Sequence, residues 1–212
     1  GGVFLARAHY LFNWGQPLGW HGQQALAGGG ALLELGYPMI DLIVWLFGLP
    51  EEAYGLTAIA PPPEGTRAPA VHDTDDTACA VLNYSGGRMA CLAASRSCDP
   101  VSEELALHGR GGSLTAGPET CILRNADGVV IEHIEGTLLP AEALRLELEA
   151  FAAAVAARGP RYACSGWENL LTQAVIDAVY LASRTGQPES PARLLHTHKL
   201  RAEDCLKLCP VE

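Results

Sequence analysis

From Glu52 to Glu135 the chain alternates short apolar runs with tight polar turns, and this alternation restricts the possible folds more than any other feature of the sequence. The expected strands are Glu52 to Ala60, Asp76 to Tyr84, Arg88 to Ser95, Glu103 to His108, Ser113 to Ala116, Thr120 to Arg124 and Val129 to Glu135. Ser85-Gly86-Gly87 and Asn125-Ala126-Asp127-Gly128 carry hairpin chemistry, because Gly, Asn and Asp tolerate the positive φ that short hairpins demand. Connections this short make the flanking strands antiparallel neighbours. An earlier run, Val3 to Phe12, places Phe4, Ala6, Ala8, Tyr10 and Phe12 on one side and Arg7 and His9 on the other, the period of a half-buried strand.

One helix precedes these strands and two follow. From Leu32 to Phe47 the residues Leu33, Tyr37, Ile40, Val44 and Phe47 share a helical face, and Gly48 and Pro50 end the run. Pro38 lies inside it and should kink it or mark an interrupted turn, since proline has no amide hydrogen to donate. The later helices are Pro140 to Ala157, with Leu144, Leu148, Phe151 and Val155 on one stripe, and Trp167 to Arg184, opened by a capping box of Ser165 and Glu168. Strands in a block with helices at its two ends give an α+β fold: a mostly antiparallel open sheet with helices packed on one face. The residues from 13 to 22, with Trp14, Trp20 and His21, follow neither period and are expected to form a loop that faces a ligand. The proline-rich stretch from 61 to 69 is expected to be an exposed loop and marks no domain boundary.

At 212 residues the whole chain, 1–212, fits one domain. No stretch reaches the roughly 20 uninterrupted apolar residues of a bilayer span, since Glu34, Pro38 and Asp41 break the longest candidate, so no membrane partner is expected. The net charge of −10 with scattered Arg and Lys argues against a nucleic-acid partner. Seven cysteines, several within apolar strands (Cys79, Cys91, Cys121), suggest reduced thiols and a cytoplasmic setting. His196, His198, Cys205 and Cys209 could complete a tetrahedral zinc site only at unsuitable spacing, and Asp73, Asp75 and Asp76 lack the glycine and glutamate of a calcium loop, so no metal is expected. The chain opens Gly1-Gly2-Val3 with no signal-peptide pattern, and the natural protein is expected to extend further at its N-terminus.

No strand runs into a glycine-rich dinucleotide loop, and no phosphate-binding GxxxxGK[ST] occurs. Gly28-Gly29-Gly30 precedes a helix whose free amides could face an anion; a turn where backbone approaches backbone is the plainer alternative.

The segment from 28 to 50, GGGALLELGYPMIDLIVWLFGLP, resembles the active-site helix of the Gfo/Idh/MocA oxidoreductases: GGG, a short apolar run, Asp-x-Gly-x-His-x-x-Asp, then Trp-x-x-Gly. The resemblance continues through His72 to Ala78 before a strand, Ser95-Arg96 at a strand end, the glycine turn His108 to Leu114 and the paired helices with Ser165 to Leu170. It implies the C-terminal half of such an enzyme, with the glucose-fructose oxidoreductase type of fold and without the N-terminal Rossmann domain and its catalytic lysine. It further implies NAD or NADP in the intact parent, none bound by this chain alone, a sugar, inositol or related polyol as substrate, and a homodimer or tetramer formed through the open sheet face.

In that resemblance a helix-borne His takes the substrate's hydroxyl proton and an Asp one turn earlier orients it. Here Glu34 stands at the Asp position and Pro38 at the His position, while Asp41, Trp45 and Gly48 match. Glu34 is therefore a candidate catalytic group, and Tyr37, His21 and His72 are candidates for a replacement base, a core aromatic being the plainer reading of Tyr37 and ordinary loop residues that of the two histidines. Trp20, His21, Asp41 and His72 are the candidate substrate contacts. The chain alone is expected to show no dehydrogenase activity. Two other classes remain open: a degenerate binding or assembly module, for which Pro38 speaks, and a different enzyme on the same scaffold using Glu34 and Asp41.

Overall fold

The computed structural model describes residues 2–14, 19–60, 72–136, 139–156 and 164–207. Eight strands form one sheet: β1 (Val3–Asn13), β2 (Glu52–Ala58), β3 (Thr77–Tyr84), β4 (Arg88–Ser95), β5 (Ser97–Gly109), β6 (Gly112–Ala116), β7 (Thr120–Asn125) and β8 (Val130–Glu135). Their spatial order is β2-β3-β4-β1-β5-β6-β7-β8. Every pairing is antiparallel except β1 with β4, where Leu5 lies opposite Met89 and Leu11 opposite Ser95. The first strand thus sits at the centre of the sheet, and the α+β architecture with its mostly antiparallel open sheet is the one expected.

Both expected hairpins are present. Gly86 and Gly87 bridge β3 and β4 at φ of 72° and 75°, a conformation that side chains with a Cβ resist. Between β7 and β8 the Asn125 carboxamide oxygen accepts the amides of Asp127 and Val129, at 3.0 and 2.9 Å.

The helices are α1 (Gln24–Ala27), α2 (Tyr37–Phe47), α3 (Pro140–Val155), α4 (Gly166–Thr185), α5 (Pro191–Thr197) and α6 (Ala202–Lys207). Ahead of Pro38 the α-helical pattern is interrupted by a π turn, Leu32–Gly36. A proline at 38 cannot close the α-helical bond to the carbonyl four residues back, and a wider turn absorbs the missing donor. Residues 24–47 have the length and hydropathy of a membrane-crossing helix, but this stretch is broken at Gly28–Gly30 and half of its most apolar window is buried inside the domain.

The core lies between the sheet and α2 and α4. The strands offer it small side chains, Ala6, Ala53, Ala78, Ala80, Ala90 and Ala94, and the helices fill the space with Ile40, Ile43, Val175, Ile176 and Val179. A large-to-small match of this kind brings helix axes close to the sheet, and each fully buried aliphatic chain contributes about 1.5–3 kcal/mol relative to exposure. Ser165 and Glu168 form the expected capping box at the start of α4.

Three features depart from the sequence-based expectation. β5 begins at Ser97, six residues ahead of the predicted Glu103, because Ser97 and Ser102 pair with Asn13 and Leu11 of β1 through backbone bonds that no side-chain period reveals. α5 and α6 are additional, each too short to show a helical period. Finally, α3 is an amphipathic helix as expected, yet Leu144 and Leu148 of its stripe are 55% and 58% exposed, since among the described residues no helix or strand packs on it closely. Residues 61–69, read as an exposed loop, and Cys209 lie outside the described residues.

Candidate active site

The glycine run before the π turn is closed by the loop that leads into β3. Asp75 accepts the Gly30 amide at 2.8 Å on one carboxylate oxygen and the Leu32 amide at 2.8 Å on the other, while its backbone carbonyl accepts the Ala31 amide at 2.8 Å. Tyr180 of α4 donates its hydroxyl to the same carboxylate at 2.8 Å. Burial and the adjacent Asp75 charge push the Tyr180 phenol above its ordinary range. A Cβ on Gly30 would overlap the Asp75 backbone, which is why this position is glycine. Of the two readings of the glycine run, the close approach of two backbones is the one found. These amides already hold a carboxylate, so the helix start does not fit a dinucleotide's phosphates.

On the other side of the same loop lies a chain of charged groups centred on Arg96, the residue that follows β4. Arg96 is 2% exposed. Its Nε donates to Asp76 at 2.9 Å, Nη2 to the Thr74 hydroxyl at 2.6 Å, and Nη1 to Glu34 and the His21 carbonyl, both at 3.3 Å. A guanidinium this deeply buried requires such partners, and two carboxylates supply them. Asp76 also meets His72 Nε2 at 2.9 Å and accepts the Ala60 amide at 2.8 Å.

Glu34, in the π turn, uses its second oxygen for His21 Nδ1, at 2.5 Å. The side chains of His21 and Glu34 are 25% and 18% exposed, so the pair sits at the mouth of the charged chain, between its buried end and solvent. The His21 ring stacks on Trp20 at 3.7 Å between centroids, and Trp14 tilts against it at 4.7 Å. The positions are fixed by backbone: the Trp14 amide donates to the Arg96 carbonyl at 2.9 Å, and Thr74 donates its hydroxyl to the His21 carbonyl at 2.8 Å.

The structure therefore brings together Glu34, His21, Trp20 and, through Asp76 and Arg96, His72. Tyr37 and Asp41 are directed elsewhere. The Tyr37 hydroxyl donates to Asn169, and Asp41 accepts the Thr172 hydroxyl at 2.7 Å, so both tie α2 to α4. Burial, with help from the Asp41 charge, pushes the Tyr37 phenol up to about 12, which keeps it protonated at neutral pH and unsuited to accept a proton. Pro38 is exposed and offers no polar atom beyond its carbonyl. Among the described residues no group of three metal-ligating side chains is assembled.

Sequence reasoning passed over the parts of this network that hold it together: Arg96 as the partner of Glu34, and Asp76 and Thr74 as the partners of Arg96. A signal existed. Arg96 is a lone guanidinium at the end of the apolar run from 89 to 94, and a buried position for it demands an acid nearby.

A profile described as the GFO/IDH/MocA C-terminal domain matches residues 1–115, more than half of the chain. No curated protein matches the chain. Among solved structures, levoglucosan dehydrogenase in complex with NADH superimposes with a TM-score of 0.79 at 18% identity, covering 90% of this chain and 59% of the other. An oxidoreductase domain protein from Kribbella flavida gives 0.74 at 22% identity, covering 90% and 60%. An NAD binding oxidoreductase from Klebsiella pneumoniae gives 0.74 at 16%, covering 90% and 59%. At such identities the superpositions establish the fold alone, and the chain spans about three fifths of the length of these proteins. With that fold and the profile match over its first half, the chain belongs to the GFO/IDH/MocA C-terminal domain family.

Proposed function

We propose that this domain supplies the substrate side of an NAD(P)-dependent oxidoreductase that acts on a sugar, inositol or related polyol. The observation that carries this reading is the Glu34–His21 pair opening beside Trp14 and Trp20. A carboxylate and an imidazole recognise hydroxyl groups by hydrogen bonds, and indole faces stack on the C–H faces of sugar rings; together they suit a polyhydroxylated ligand. A fold relative, levoglucosan dehydrogenase, has been solved with NADH and levoglucosan and with NADH and L-sorbose, which supports the same substrate class here. The nicotinamide nucleotide would be held by a companion domain, because the helix start at Gly28–Gly30 is occupied by Asp75.

The proposal includes self-association through the sheet face that carries no helix. Tyr54, Leu56, Val81 and Met89 are exposed there, and the register sets Tyr54 opposite Val81 and Leu56 opposite Cys79, so the apolar side chains are contiguous. A contiguous apolar surface of this kind favours burial against a second copy. A cytoplasmic setting belongs to the same proposal, supported by the free thiols of Cys79, Cys91 and Cys121.

A second reading, a binding or assembly module that has lost dehydrogenase chemistry, is favoured by exposed Pro38 alone. The two part on one measurement: polyol-dependent reduction of NAD(P) by the complete gene product, followed by nicotinamide absorbance. Turnover by that product and none by the 212-residue chain supports the first reading. No turnover across a panel of sugars and inositols supports the second.

A further inference from the structure

We infer that His21, oriented by Glu34, is the proton acceptor of this site; the inference rests on the polyol reading above. Glu34 stands 2.5 Å from His21 Nδ1, and when the ring is neutral a carboxylate at that distance selects the tautomer with hydrogen on Nδ1. The lone pair is then on Nε2. That atom has no hydrogen-bond partner among the described residues and is not one of the buried unpaired atoms, so it is open to a ligand.

Glu34 cannot turn away from this task easily, because its other oxygen is held by buried Arg96 at 3.3 Å, and Arg96 is anchored in turn by Asp76 and Thr74. The Trp20 stack and the bond from Thr74 to the His21 carbonyl fix the ring and its backbone. Nucleophile-activating bases follow the same logic: an imidazole, one nitrogen held by an acid, the other presented to the reacting hydroxyl. In the step itself a substrate O–H proton passes to His21 Nε2, giving an imidazolium stabilised by the Glu34 carboxylate and an alkoxide on the substrate. His72 provides an internal control, since its Nε2 is engaged by Asp76 at 2.9 Å.

The test is side-chain ¹⁵N NMR of histidine and tryptophan on the full chain, with and without D-glucose or myo-inositol. The expected result, at a pH where the ring is neutral, is hydrogen on Nδ1 of His21 in the free protein and a shift of that signal on addition of the polyol, with His72 unmoved. A neutral His21 with hydrogen on Nε2 overturns the inference without needing any variant. A polyol that shifts the Trp20 indole but leaves His21 unchanged also overturns it, while the substrate reading stands. No shift at either residue with any polyol overturns the substrate reading and this inference with it. Glu34→Ala, if folded, should return His21 to the Nε2–H form that free imidazole side chains favour; retention of the Nδ1–H form would assign the orientation to another group and refute Glu34's role.

Discussion

Asp75 accepts the Gly30 amide at 2.8 Å from 45 residues away in sequence, and this contact makes the start of the candidate active-site helix a property of the loop before β3. The same carboxylate holds the Leu32 amide and the Tyr180 hydroxyl, so one buried acid joins the π turn, that loop and α4. Charge-assisted bonds of this type contribute about 1.5–3 kcal/mol each, and an acceptor lost from a buried helix start leaves its amides unsatisfied. Asp75→Ala is expected to lower the stability of the domain by about 3 kcal/mol, and Tyr180→Phe by about 1 kcal/mol. Urea denaturation followed by circular dichroism measures both, and an unchanged midpoint for Asp75→Ala would contradict the assignment.

Arg96 should be the most sensitive polar position in the domain. Removing it strands Asp76 and Glu34 without their shared cation, and breaking a buried ion pair on one side costs about 3–5 kcal/mol. Arg96→Met is the variant to make, since methionine keeps much of the volume. It should also release Glu34 and loosen the Trp20–His21 stack, visible as a weaker near-ultraviolet circular dichroism signal under conditions where the fold persists. Arg96→Lys keeps the charge but has one nitrogen in place of a fork that reaches Asp76, Thr74 and Glu34, so a partial loss is expected.

The elements that could be read from sequence are those whose cause is local. Ser85-Gly86-Gly87 and Asn125 to Gly128 dictate hairpins by backbone conformation and side-chain bonding within the turn, and Ser165 with Glu168 caps α4 within four residues. Glu34 and Pro38 were legible too, as the two positions where the chain departs from the motif it resembles. What Glu34 does was not legible, because its partners His21 and Arg96 lie 13 and 62 residues away and no pattern of residue types states which acid will meet which base. Tyr37 and Asp41 depend on packing in another way. Their spacing places them on the helix that carries Glu34, but the helix face they occupy is the one that α4 covers through Asn169 and Thr172.

Alkaline pH should weaken the fold through its buried phenols. Tyr37 is raised from 10.0 to about 12 by burial and by Asp41, and Tyr84 and Tyr180 are raised by burial first. A raised phenol pKa means the folded state holds the proton more tightly than the unfolded chain, so the associated stability is present below 10.0 and is lost as pH rises toward about 12. The urea midpoint is therefore expected to fall across that interval. Tyr37→Phe should cost about 1 kcal/mol at neutral pH, through the lost bond to Asn169, and show a shallower fall above pH 10. An equally steep fall in the variant would exclude Tyr37 as a contributor.

Association through the open sheet face is tested by charge placed in its middle. Leu56 is 59% exposed and pairs across to Cys79, and Leu56→Arg would set a desolvated cation into any interface between two copies. Sedimentation equilibrium is expected to show a dimer or tetramer for the native chain and a monomer for the variant, with the far-ultraviolet spectrum unchanged. A native chain that is monomeric at micromolar concentration removes the self-association part of the proposal.

The apolar stripe of α3 permits a contrast that follows from burial rather than residue type. Leu148 is 58% exposed and Ile176 of α4 fully buried, although both are large aliphatic residues on amphipathic helices. A periodic stripe records that a helix has an apolar face, and only packing determines whether that face carries any of the domain's stability. Leu148→Ala leaves no cavity in this domain and gains slightly in helix propensity, so its effect should stay within about 0.5 kcal/mol. Ile176→Ala removes atoms from the packed core and should cost about 2–5 kcal/mol. Equal losses for the two variants would mean that α3 is packed against the domain in solution. The contrast is sharpest if the variants are measured on the monomeric Leu56→Arg background, where a second copy cannot cover the α3 stripe through the same assembly and add its contacts to the result.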